Sequence, residues 1–159
     1  MKTRIVVLLL ALFYCHSISF AQKEFVNTSV RLSGHPRLLL QKGEEKTLKK
    51  MIMKDVIWKD IHQSLLNEAA EIVQLPLNER IKTGRRLLSV SRENLRRIFI
   101  LSYAYRMTRK GEFLKRAESE MLKAASFSDW NPSHFLDVGE MTMALAIAVS
   151  YTHLRAHET

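Results

Sequence analysis

The run Asp129-Trp130-Asn131-Pro132-Ser133-His134-Phe135-Leu136-Asp137-Val138-Gly139-Glu140-Met141 gathers carboxylates, an indole, an amide, a hydroxyl and an imidazole just ahead of an almost wholly apolar stretch, 141–148. Pro132 and Ser133 suit the start of a helix. A helix that is apolar all round belongs among other helices, so its polar opening must line a cavity or be paired inside the fold. His134, Asp137 and Glu140 recur every third position and drift along one stripe near the helix N-terminus, where backbone N–H groups also point outward and favour anions. As metal ligands His134 and Asp137 fall short, because two ligands at this spacing with no third make no site. No metal and no cofactor is expected.

The elements that must position this run read as helix after helix. Gly43 and Glu44 open the first, with acids in its first turn and apolar Leu48, Met51 and Ile52. A second, 55–73, buries Val56, Ile57, Trp58, Ile61, Leu65, Leu66, Ala69, Ile72 and Val73, and Leu75-Pro76 ends it. After a mixed connection over 77–90, Ser91 reads as the N-cap of a helix over 92–108 with Leu95, Ile98, Phe99, Leu101, Ser102 and Tyr105 facing inward. Tyr103 and Tyr105 fit core packing with a satisfied hydroxyl, and His62 a boundary position. Lys110-Gly111 makes a turn into the amphipathic 112–127, which sets Phe113, Leu114, Ala117, Met121, Leu122 and Ala125 on its apolar side. Residues 129–133 form a loop, and the last helix runs to 148.

Short turns between helices imply antiparallel hairpins. An amphipathic outer helix followed by an apolar inner one is what concentric helical rings require. The expected fold is therefore all-α, part of an (α/α) toroid. A superhelical repeat would show a fixed-period signature, which is absent, and a simple bundle is the remaining alternative.

Both ends differ from the middle. Lys2 and Arg4, an apolar 5–14 and Ser19-Phe20-Ala21 read as a secretory signal peptide over 1–21, so the protein is expected to be exported, periplasmic or secreted. The apolar run falls short of the roughly 20 residues that span a bilayer, and no membrane association is expected after cleavage. Lipid anchoring through Cys15 is the alternative, though Phe13 and Tyr14 do not suit it. Cys15 is the only cysteine, so the mature chain has neither a disulfide framework nor a thiol nucleophile. At the other end, the back-translation of 149–159 resembles the transposon end and adapter of sequencing libraries. That tail is expected to be artefactual and disordered, with Tyr151, His153 and His157 carrying no functional weight.

Between these ends, 22–148 is one partial helical domain holding 22 basic against 15 acidic residues, a net charge of +7. Seven of the cations, Arg80, Lys82, Arg85, Arg86, Arg92, Arg96 and Arg97, lie close together in sequence. A basic surface attracts polyanions, and for an exported protein the fitting partner is an acidic polysaccharide rather than nucleic acid.

His35-Pro36-Arg37-Leu38-Leu39-Leu40, Ile57-Trp58, Gly84-Arg85-Arg86-Leu87-Leu88, Arg96-Arg97-Ile98, Leu101-Ser102-Tyr103-Ala104-Tyr105-Arg106 and above all 129–141 resemble the N-terminal region of heparinase II/III-like polysaccharide lyases, over roughly 35–148. The resemblance implies an N-terminal (α/α) toroid that is followed in the family by β-sandwich domains, which this sequence does not contain. It departs from the family at Val149, where an aromatic continuation should follow Ala148. The family's reaction is β-elimination on uronate-containing polysaccharide of the heparin, heparan sulfate or alginate kind. Its Tyr and His motifs fall downstream of this chain, so no catalytic residue is assigned here and the fragment alone is expected to be inactive. For substrate binding the resemblance points to Trp130 stacking on a sugar face, Asn131 bonding hydroxyls, and His134 and Glu140 lining the cleft. The structural alternative makes Trp130 a core residue, pairs Asp137 with His134 and sets Glu140 against an arginine such as Arg96 or Arg97. Other readings are a non-catalytic exported helical module that binds glycan or protein, and a glycoside hydrolase on the same toroid.

Overall fold

The computed structural model describes residue 36 and residues 38–152. The expected signal peptide, Cys15, the extended 22–33, His35 and 153–159 with His153 and His157 lie outside the described residues. Helices α1 (Glu45–Lys54), α2 (Val56–Gln74), α3 (Leu88–Thr108), α4 (Gly111–Ala125) and α5 (Phe135–Thr152) follow one another, with no strand among the described residues. The chain is all-α, as its periodicity implies. Asp55, extended between α1 and α2, caps the second helix by accepting from the N–H groups of Ile57 at 2.8 Å and Trp58 at 3.2 Å. Such a cap is worth about 1 kcal/mol. Arg109 closes α3 in the left-handed region, φ 62°, and Lys110 then leads directly into α4.

Helix α3 is the central element, packed on α2, α4 and, most extensively, α5. One apolar cluster joins Ala69 and Ile72 of α2, Ile100, Leu101 and Ala104 of α3, and Phe113 and Ala117 of α4. A second sets Ile98 of α3 against Ala144 and Ala148 of α5, where small residues allow close approach.

Several expectations need correction. Helix α3 begins at Leu88, so Ser91 is no cap; it lies buried within the first turn. The apolar cluster with α3 and α4 takes Ala69 and Ile72 from the second half of α2, while Val56, Ile57, Trp58 and Ile61 near its start are exposed. In α4 the inward stripe is Phe113, Ala117, Glu120 and Ala124, and Leu122 and Ala125 turn outward. Helix α5, expected to be buried all round, is covered on one side only. Phe135 is 82 % exposed, and Leu136, Met143 and Val149 also face outward.

Nor does α5 stop at Ala148. Its helix continues to Thr152, and Ser150, Tyr151 and Thr152 are buried, which overturns the expected disorder for 149–152. The reason is a partner that the sequence did not announce. The segment preceding α1 crosses this end of the fold, donating from Leu38 N–H to Ser150 Oγ at 3.3 Å and from Leu40 N–H to Tyr151 Oη at 2.9 Å. Arg106, 2 % exposed, donates to the carbonyls of Leu40 and Gln41, pairs with Glu45 at 2.8 Å and lies 4.7 Å over the Tyr151 ring.

Candidate functional site

The polar opening of α5 is built around a buried carboxylate. Asp137 is 0 % exposed and accepts from Leu87 N–H at 2.9 Å, Asn131 Nδ2 at 2.7 Å and His134 Nδ1 at 3.0 Å. Burial pushes the Asp137 carboxyl up, but the Asn131 and Leu87 donors, with His134, outweigh it and hold the group below its ordinary range. Asn131 sits at φ 57°, a left-handed position that asparagine tolerates better than most residues. Its second amide hydrogen goes to Arg85 O at 2.9 Å, and its oxygen accepts from Ser133 Oγ at 3.2 Å. Asp129 supports the bend by accepting from Asn131 N–H at 2.6 Å while Arg80 grips its carboxylate at 2.7 Å and its carbonyl at 3.0 Å. The Arg80 hydrogen bond and that of the Asn131 N–H lower the Asp129 pKa.

Asn131 and Asp137 thus clamp the chain that enters α3. Arg85 O and Leu87 N–H are fixed by Asn131 and Asp137. Just before them, Thr83 and Arg86 close a tight turn through Thr83 N–H to Arg86 O at 2.9 Å and the reciprocal bond at 3.2 Å. Gly84 supplies the φ of +60° that this turn needs and most other residues would resist.

The residues expected at a sugar cleft do not converge on one cavity. Asn131 is buried in the clamp, with both amide hydrogens committed. His134 is partly exposed at its edge and pairs with Asp137, as the structural alternative foresaw. Glu140 answers an arginine, but it is Arg92 at 3.2 Å rather than Arg96 or Arg97, and its other oxygen accepts from Ser91 Oγ at 2.7 Å. Trp130 stands apart from these three. Its indole N–H donates to Ala124 O at 2.9 Å, and the side chain lines an open groove of about 480 Å³ with Leu38, Thr142, Leu145, Ala146, Val149 and Ser150.

The basic cluster is mostly neutralised. Arg80 pairs with Asp129, Arg92 with Glu140, Arg96 with Glu68 and Glu93, and Arg97 with Glu93 and Glu120. Lys82, Arg85 and Arg86 are exposed, and among the described residues none of them has an ion pair. Glu120 is a residue that the sequence reading passed over. It is 0 % exposed and accepts from Arg116 at 2.7 Å and Arg97 at 3.2 Å, while both arginines also bind the Pro76 carbonyl. Its position three residues beyond Ala117 on the apolar stripe is the signal that could have found it.

Elsewhere, His62 Nδ1 lies 2.9 Å from Tyr103 Oη, joining α2 to α3 with the rings edge to face. Burial and the nearby Lys49 lower the His62 pKa, and burial raises that of Tyr103. The expectation of a satisfied hydroxyl is met at Tyr103 by this pair. Among the described residues no three His, Cys, Asp or Glu side chains gather as metal ligands would. Compared with the models of known protein families and with curated proteins, the sequence matches none.

Proposed function

We propose that this chain is the N-terminal helical part of an exported polysaccharide lyase, its helices forming part of an (α/α) toroid whose wall binds uronate-containing polysaccharide. The observation that carries the reading is Trp130 on its groove. Tethering the indole N–H to a backbone carbonyl holds the side chain in place, and an aromatic ring on an open groove is a surface on which the C–H face of a sugar can stack. The positive balance of the chain supports an acidic glycan.

In the proposed reaction a base takes the proton beside the uronate carboxylate and the electron pair forms a carbon–carbon double bond. The bond to the glycosidic oxygen breaks, and an acid protonates the departing oxygen. No described residue is given either role. A non-catalytic glycan-binding module is the second reading. In either reading the internal hydrogen bonds of Asn131, Asp137 and Glu140 make them scaffold and leave the sugar contact to Trp130.

The test is binding and product analysis with heparin, heparan sulfate and alginate. This chain should bind at least one of them, Trp130→Ala should weaken that binding, and the protein carrying the family's downstream domains should release unsaturated ends that absorb in the ultraviolet. Saturated reducing ends would point to a glycoside hydrolase. Binding without cleavage by that longer protein would favour the module, and no binding would sink both.

A further inference from the structure

Within the polysaccharide reading, we infer that the Lys82–Arg86 turn is a preformed anion subsite taking the carboxylate or sulfate groups of an acidic polysaccharide. Four of the seven cations between Arg80 and Arg97 are engaged by acids, and the three left over, Lys82, Arg85 and Arg86, all sit on one exposed turn. Asp129, close enough to feel Lys82, is itself held by Arg80.

The backbone of this turn is fixed before any ligand arrives. The paired Thr83–Arg86 hydrogen bonds close it, and the Arg85 carbonyl and Leu87 N–H are tied to the buried Asn131 and Asp137. Binding therefore orders side chains alone, which lowers its entropic cost. Arginine forks match the two oxygens of a carboxylate or sulfate. Asn131, which clamps the turn, is next in sequence to Trp130, whose side chain lines its own groove.

Two competitors are weaker. Lys46, Lys49 and Lys50 of α1 are also exposed and unpaired, but they are flexible point charges on a helix that buries no residue. Single-stranded nucleic acid would call for aromatic stacking platforms, and residues 82–88 contain no aromatic side chain; a duplex binds cations through its phosphates alone and is an arm of the experiment.

The experiment uses the full chain with fluorescent alginate and heparin oligosaccharides and a DNA duplex, titrated across salt concentration. The triple variant Lys82→Gln/Arg85→Gln/Arg86→Gln should lose roughly tenfold in glycan affinity and show a shallower salt dependence. Lys46→Gln/Lys49→Gln/Lys50→Gln, which removes the same charge from α1, should lose less than about twofold. Arg85→Lys/Arg86→Lys, with charge kept and forks lost, should fall between them. Since all three turn residues are exposed, unchanged helical circular dichroism should accompany the loss. Equal loss in both triple variants, or loss only in the α1 variant, overturns the subsite. Duplex bound as tightly through the same residues overturns the glycan. Retained glycan binding in the turn variant with loss in Trp130→Ala leaves the function standing and removes this subsite, and a wild-type chain that binds no acidic glycan removes both.

Discussion

Asp137 shows how a charged group is tolerated at full burial. An isolated carboxylate in the interior would cost several kcal/mol, and here three donors meet it: Asn131 of the loop, His134 just before α5, and the Leu87 N–H at the entry to α3. Asp137→Ala would strand the Leu87 N–H and the Asn131 amide, and should cost about 2–4 kcal/mol in urea unfolding. Asp137→Asn should cost less, since it keeps an acceptor for one of them. Acid provides a second test. The Asp137 carboxyl lies below its ordinary range, and Glu93, hydrogen-bonded by Arg96 and then Arg97, is lowered from 4.5 to about 2. Groups whose pKa is lower folded than unfolded let the unfolded chain take up protons first as pH falls. The stability they give is complete above the ordinary carboxylate range and drains away from about 4.5 towards about 2. Thermal midpoints should fall across that window, and Glu93→Gln should flatten the fall. A wild-type midpoint indifferent to pH there would contradict the pairing.

Helices α3 and α4 are joined by an ionic cluster beside their apolar contacts. Glu120 receives Arg97 and Arg116, which in turn hold the Val73 and Pro76 carbonyls at the end of α2. Glu120→Ala should destabilise by roughly 3 kcal/mol, because it takes from the half-buried Arg116 its ion-pair partner and leaves Arg97 with Glu93 alone. Glu120→Gln should be milder, and a small effect of the alanine would mean that the arginines reach water easily. Helix α5 offers a contrast within one element. Met141→Ala, at a fully buried position, should cost about 2–5 kcal/mol. Phe135→Ser, at an exposed one, should stay within about 0.5 kcal/mol.

That contrast marks what the sequence could and could not say at this scale. Period and turn chemistry placed all the described helices to within a few residues. Which side of an all-apolar helix is covered depends on its neighbours, and periodicity carries no information when every face is alike. The clamp was hidden for a related reason. Asn131, His134 and Asp137 were visible as polar residues at the right place, but their partners, Arg85 O and Leu87 N–H, are backbone atoms more than forty residues away. A backbone acceptor has no side-chain signature. The reading therefore set Asn131 to bond sugar hydroxyls when its amide is turned inward, on to Arg85 O and Asp137.

At the scale of the whole molecule, the beginning and end of the described chain are fastened at one place. Lys42 N–H reaches the Pro36 carbonyl at 3.1 Å, while Arg106 reads the carbonyls of Leu40 and Gln41 from α3, and Ser150 and Tyr151 of α5 accept from Leu38 and Leu40. Three segments distant in sequence thus share one polar node, which explains why the apolar Leu38-Leu39-Leu40 segment lies partly at the surface: its backbone, more than its side chains, secures it. Tyr151→Phe deletes one acceptor and keeps the ring beneath Arg106, so it should cost about 1 kcal/mol. A chain ending at Ala148 loses Ser150, the Tyr151 hydroxyl and the ring together. Its thermal midpoint should drop further than that of Tyr151→Phe. The sharper reporter is hydrogen exchange. The Leu40 amide should lose protection strongly in the shortened chain and modestly in Tyr151→Phe, whereas amides in the middle of α4, remote from the node, should follow only the change in global stability. If Leu40 exchanges equally fast in all three proteins, residues 149–152 do not hold the entry segment, and the continuation of α5 past Ala148 has no role in the fold.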